Sequence, residues 1–253
     1  MWVPDVYHGA PTSVAAFVGT APKIAAVMFA FRILLTGFGE VHQYWAPMFA
    51  VLAVASLVVG NLAAIMQTNI KRMLAYSTVS HMGFILLAFM AGSIGSTAGL
   101  YYAITYALMA AAGFGILMLL SNDNIECEEI KDLAGLNQRH AWFALLMLLV
   151  MFSMAGIPPL MGFYAKFGVI MVLLKFHYVW LSVFAVVMSL IGAFYYLRVV
   201  KVMYFDEPTH DQPIGSNYAA KFFLSVNAFL LVLWGVMPQT MIDWCAKALE
   251  NTL

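Results

Sequence analysis
Charge is scarce in this sequence. Asp, Glu, Lys and Arg make up 9% of its 253 residues, where soluble domains carry about 25%. Against 64% hydrophobic residues and a mean hydropathy of +0.89, that shortage excludes an ordinary soluble domain and points to a polytopic all-α membrane protein. The formal net charge is zero, so neither a basic nor an acidic tail offers a nucleic-acid surface. The two cysteines, Cys127 and Cys245, are too few and too far apart for a disulfide framework or a metal site. No Gly-rich phosphate loop, Cys/His cluster or haem-ligand pattern occurs, so no cofactor is expected in this chain and redox chemistry is expected elsewhere. No Ser/His/Asp arrangement stands out for nucleophilic catalysis. Nothing at the start resembles a cleaved signal peptide, since no charged stretch precedes a short apolar run.

Long apolar runs dominate what is present. Seven are legible: Thr12 to Phe38, Trp45 to Met66, Met73 to Gly92, Leu100 to Leu120, Ala141 to Leu174, Val179 to Tyr204 and Phe222 to Met237. The fifth holds 34 residues, which as a straight helix would reach roughly 51 Å against a hydrocarbon core of roughly 30 Å. Gly156, Pro158 and Pro159 lie near its middle. Proline lacks an amide donor and clashes with the turn before it, so a helix broken at Gly156–Pro159 is expected. Unwound backbone at membrane depth survives only where protein or a water-filled cavity surrounds it, and such breaks recur at ion sites in transporters.

The whole chain, 1–253, reads as one membrane domain, with residues 121–140 as a polar connection able to form a surface helix. A loop with Asp206, Glu207, Asp211 and Pro213 precedes the seventh run. With seven spans, one side receives Lys71, Arg72, Lys131, Arg139, Arg198, Lys201 and Lys221, and the other Arg32, Lys175 and Lys247. The positive-inside rule makes the richer side, with 121–140, cytoplasmic. Lys71 and Arg72 read as a membrane-surface anchor, and Asp5 and His8 as caps for the first helix.

Two cations remain inside the runs, Lys23 and Lys166. An ammonium near the bilayer midplane costs about 2.5 to 3.5 kcal/mol on insertion scales, so such groups tend to face cavities and mark proton or ion paths. The competing reading is a lysine that snorkels to the headgroups. Neither has an acidic partner in any run, because all 12 Asp and Glu lie in loops or termini. His81 is a third candidate, as a relay, since imidazole ordinarily titrates near neutrality; a hydrogen-bonded packing histidine is the plain alternative. Tyr164, Tyr195 and Tyr196 are read mainly as interface aromatics.

Five segments carry a family resemblance: WVPDVYHGAPT (Trp2 to Thr12), Ala21-Pro22-Lys23, QTNIKRMLAYSTVSHMG (Gln67 to Gly83), SMAGIPPLMGFYAKF (Ser153 to Phe167) and YYLR (Tyr195 to Arg198). In that order they resemble the antiporter-like membrane subunits of proton-pumping NADH:quinone oxidoreductase, respiratory complex I. The PDVYHGAPT form is closer to the subunit N branch than to the L and M branches. The resemblance implies the C-terminal half of a 14-helix fold built from two inverted five-helix repeats. The opening Met1-Trp-Val-Pro-Asp fits the middle of such a protein, whose first broken helix, with its lysine and an earlier glutamate, would lie upstream. It further implies that Lys23 is the connecting lysine of a central hydrophilic axis and Lys166 the lysine of the second broken helix. Proton translocation coupled to quinone reduction follows as the expected function, in a bacterial inner membrane, with lipid, protons and neighbouring antiporter-like subunits as partners. The alternatives are a subunit of a cation/proton antiporter of related fold and a non-conducting membrane scaffold.

Overall fold
The computed structural model describes residues 2–121, 127–208 and 218–250. Residues 122–126 of the polar connection, and Asp211 and Pro213 of the later loop, lie outside them. The described residues are helical apart from short connections, and their one extended pairing is a bridge between Asn69 and Glu129.

The helices run α1 Val3–Gly9, α2 Thr12–Gly19, α3 Ala21–Arg32, α4 His42–Ile65, α5 Ile70–Phe89, α6 Gly92–Leu120, α7 Leu136–Arg139, α8 Ala141–Ala155, α9 Met161–Lys175, α10 Val179–Phe205, α11 Tyr218–Val236 and α12 Pro238–Glu250. Five stretches are long and apolar enough to cross a bilayer: Thr12–Gly37, Gly39–Ile65, α6, α10 and α11. α5 has the length, but its face of Lys, Ser, Thr and His dilutes its hydropathy. α8 and α9 have 15 residues each, short of the roughly 20 that one span needs. Counted with α5 and the α8–α9 pair, these match the seven runs of the sequence, and the chain is a multi-pass membrane protein. α6 is the hub. It packs against α2, α3, α5, α8, α9, α11 and α12, and two thirds of its most apolar window is buried, against a third or less in the other four spans.

Four expectations need correcting. The first run is not one helix: it is interrupted at Thr20, between α2 and α3. Pro22, in the first turn of α3, cannot donate to the preceding turn, and the Thr20 hydroxyl takes up the end of α2 by donating to the Ala16 and Phe17 carbonyls. The described part of the polar connection is not one surface helix. It is a short 3-10 turn, Ile130–Leu133, and α7, and Leu133 and Leu136 are fully buried. Lys71 is no surface anchor; it is 1% exposed and ion-paired with Glu128. Asp5 and His8 lie within α1 and cap nothing, and the Asp5 carboxylate instead meets Arg72 at 3.4 Å. α12 was not foreseen; Met241, Cys245 and Leu249, spaced four apart, are its buried stripe. Both cysteines are buried and unbridged, and burial pushes the Cys127 thiol up to about 12.

The charge-rich end is tied together by backbone as well as side chains. Ile70 donates to the Glu128 carbonyl and Ile130 to that of Thr68. Arg198 of α10 caps α4 by donating to the Ile65 and Gln67 carbonyls, which the helix end leaves without amide partners.

Candidate proton-relay site
The break between α8 and α9 can be followed carbonyl by carbonyl. The last four C=O groups of a helix have no intrahelical donor. In α8 these belong to Phe152, Ser153, Met154 and Ala155. Gly156 takes the left-handed conformation (φ 88°), open to glycine at little cost. That turn brings the Ile157 amide to the Phe152 carbonyl and the Gly156 amide to that of Ser153, which is the Schellman arrangement. Met154 and Ala155 are left over. Lys166 Nζ, from the second turn of α9, donates to both, at 2.9 and 2.8 Å. The cation thus sits at the negative end of the α8 dipole. Its third hydrogen bond, 2.9 Å, reaches Ser189 Oγ on α10. α9 can approach this closely because position 162 is glycine: a Cβ there would lie 1.9 Å from the Ser153 carbonyl oxygen.

Lys166 is 8% exposed and His81 3%. Both line a small cavity of about 10 Å³, together with Asn61, Ser80, Ser189 and Tyr196. That is about the space one water needs. On its other side Lys166 borders an apolar groove of about 440 Å³, walled by Ile157, Phe167, Ile170, Val186 and Leu190.

His81, at mid-length of α5, has a hydroxyl on each ring nitrogen: Tyr102 at 2.7 Å on Nδ1 and Tyr196 at 3.0 Å on Nε2. Tyr106, one turn along α6 from Tyr102, places its ring 5.1 Å from the imidazole. Its hydroxyl is bonded to Thr78 and accepts from Lys23 Nζ at 3.4 Å. Lys23 also donates to Tyr7 of α1 at 2.8 Å and lies 4.7 and 5.3 Å from the centres of the Tyr106 and Tyr7 rings, within cation–π range. The result is a row of polar groups, Tyr7–Lys23–Tyr106–His81–Lys166, buried except at half-buried Lys23 and joined at its last two steps by a ring contact and a shared cavity, from α1 and α3 to α9 and α10.

The structure therefore brings Lys23, His81 and Lys166 into one line, each with polar partners. Each lysine follows a helix break, Lys23 in the first turn of α3 and Lys166 in the second of α9. Tyr195 and Tyr196 belong to the same core, the former through a 3.1 Å hydrogen bond to Asn61; Tyr164 packs on Phe163 instead. Sequence reasoning did not single out Tyr7, Tyr102, Tyr106, Asn61 or Ser189. The spacing of Tyr102 and Tyr106, four apart on a small-residue helix, was the available signal, because it sets both on one face.

Residues 1–192 match the family of NADH:quinone oxidoreductase/Mrp antiporter transmembrane proteins. NADH-quinone oxidoreductase subunit N of Neisseria gonorrhoeae is 81% identical over 100% of this chain and 53% of its own length. The chain thus spans about half the length of the curated relatives it matches. Among solved structures, respiratory complex I from Thermus thermophilus with bound aureothin contains a chain 30% identical, with a TM-score of 0.81 over 96% of this chain and 53% of that one. A chain of the Mrp complex from a Dietzia species has the same fold at 21% identity, with a TM-score of 0.88 over 99% of this chain and 55% of that one. Two helix breaks, each followed by a lysine with polar partners, and a family match over residues 1–192 lead to one statement: the chain belongs to the NADH:quinone oxidoreductase/Mrp antiporter transmembrane family.

Proposed function
We propose that this chain is the proton-conducting part of a membrane subunit of NADH:quinone oxidoreductase, respiratory complex I, in a bacterial inner membrane. The observation that carries the reading is the row of polar groups from half-buried Lys23 through Tyr106 and His81 to Lys166, with a ring contact between Tyr106 and His81 and a small cavity between His81 and Lys166. Hydroxyls, an imidazole and amines are the groups that load, pass and release protons, and helices broken beside them expose the backbone that such a path uses. The 81% identity to a subunit N along the whole chain favours complex I over a separate cation/proton antiporter.

In this reading quinone reduction occurs in other subunits, since the chain offers no motif for a redox centre. Charge changes there alter the electrostatics along the row. Moving one charge through 100 mV takes about 2.3 kcal/mol, a demand that modest shifts at each lysine meet. The end bearing Lys71, Lys131 and Arg198, with residues 121–140, faces the cytoplasm. Neighbouring antiporter-like subunits supply the carboxylates that this row lacks among the described residues, and the groove beside Lys166 is where one of them can approach.

The test is Lys166→Ala and Lys23→Ala, separately, in the assembled complex, reading quinone reductase activity and vesicle acidification together. Each is expected to abolish most acidification while the complex still assembles. Acidification at the unmodified rate in both would leave a membrane scaffold as the better description. A separate antiporter would be indicated by a gene neighbourhood without quinone-site and iron–sulfur subunits.

A further inference from the structure
We propose that Ser189 is the group through which Lys166 exchanges its proton. The inference rests on the function proposed above and goes further by naming the exchange partner. Lys166 Nζ has three partners: the carbonyls of Met154 and Ala155 and the hydroxyl of Ser189. An ammonium has three N–H groups, one for each. A neutral amine has two N–H groups and a lone pair. Carbonyl oxygens only accept, so they hold the two N–H groups in either state and can neither take up nor pass on a proton. A hydroxyl both donates and accepts. When the amine is neutral, Ser189 turns its O–H toward the lone pair; when the amine is charged, Ser189 accepts. The cradle fits both protonation states with no heavy atom displaced.

Ser189 lines the apolar groove and also the cavity of about 10 Å³ that His81, Asn61, Ser80 and Tyr196 line, whose polar walls make it the side on which a proton can be received. That space admits about one water, and its walls offer the two to four polar partners a buried water needs. In the exchange step an Nζ–H bond of Lys166 breaks as a new Oγ–H bond forms on Ser189. The hydroxyl's original proton passes to water on the cavity side. Serine ends neutral and donates to the amine; the positive charge has moved one place toward His81. Uptake of a proton by Lys166 runs the same step backwards.

The experiment compares Ser189→Ala, Ser189→Thr and Ser189→Cys with Lys166→Ala in the complete complex, after native-gel confirmation of assembly. Acidification per quinone reduced is expected to fall about tenfold or more in Ser189→Ala and to recover in Ser189→Thr, which keeps the hydroxyl. A packing role alone would not order the variants that way. Should Ser189→Ala not assemble, Ser189→Cys keeps the volume with a poor donor and is expected to show the same fall. Acidification near the unmodified rate in Ser189→Ala or Ser189→Cys, with Lys166→Ala inactive, overturns the inference alone. Full acidification in Lys166→Ala overturns the proposed function as well.

Discussion

At the scale of single residues, the site depends on side chains that complete unfinished backbone. Lys166 finishes the end of α8, and the room for it comes from Gly156. A Cβ on residue 156 would sit 3.0 Å from Lys166 Cδ and 3.3 Å from Nζ, at a φ of 88°. Gly156→Ala should therefore cost about 1–2 kcal/mol for the left-handed backbone alone, and it should push the ammonium off the α8 carbonyls. Thermal unfolding in detergent reads the first effect and acidification by the assembled complex the second. An unchanged midpoint together with unchanged acidification would show that the cradle tolerates displacement. Lys23, His81 and Lys166 were legible because charge and imidazole are conspicuous in apolar runs. Tyr7, Tyr106 and Ser189 were not, because a tyrosine or serine in a membrane helix is ordinary until the fold sets its hydroxyl beside an amine.

At the scale of elements, the charge-rich end depends on an unequal ion pair. Lys71, in the first turn of α5, is 1% exposed, whereas its partner Glu128 is 36% exposed. A cation at a helix N-terminus is itself unfavourable, so the carboxylate matters more to the lysine than the reverse. Glu128→Gln removes one carboxylate from beside a buried ammonium; breaking a buried pair outright costs about 3–5 kcal/mol in other proteins, and the partial exposure of Glu128 puts at most the low end of that range in view. Lys71→Met leaves a carboxylate that water can reach, and it should cost less. Unfolding midpoints of the two variants check the order, and a larger loss in Lys71→Met would refute it. Span positions were readable from apolar length, and the break at Gly156–Pro159 from composition. The break at Thr20 was hidden because Pro22 lies in a run short enough for one helix to explain. α12 was hidden because an amphipathic stretch after Pro238 has little hydropathy to show.

At the scale of the whole molecule, Lys23, His81 and Lys166 form a row of polar groups in which no described acidic side chain takes part. A relay of cations alone has no group to draw the charge forward, so conduction should depend on carboxylates in the rest of the assembly. The 253-residue chain reconstituted by itself in liposomes is expected to carry no protons beyond the leak of empty vesicles, as read by a pH-sensitive dye under an imposed potential. Conduction abolished by Lys166→Ala in that preparation would show the half to be self-sufficient.

The small cavity between His81 and Lys166 has one more consequence. In the proposed relay a space of about 10 Å³ would act as a filter. Protons can hop across it along hydrogen bonds, but sodium would have to shed its hydration shell and find replacement oxygens in room for a single water. At this joint the proposed relay would discriminate by mechanism of passage, so that more abundant cations would gain nothing from their abundance.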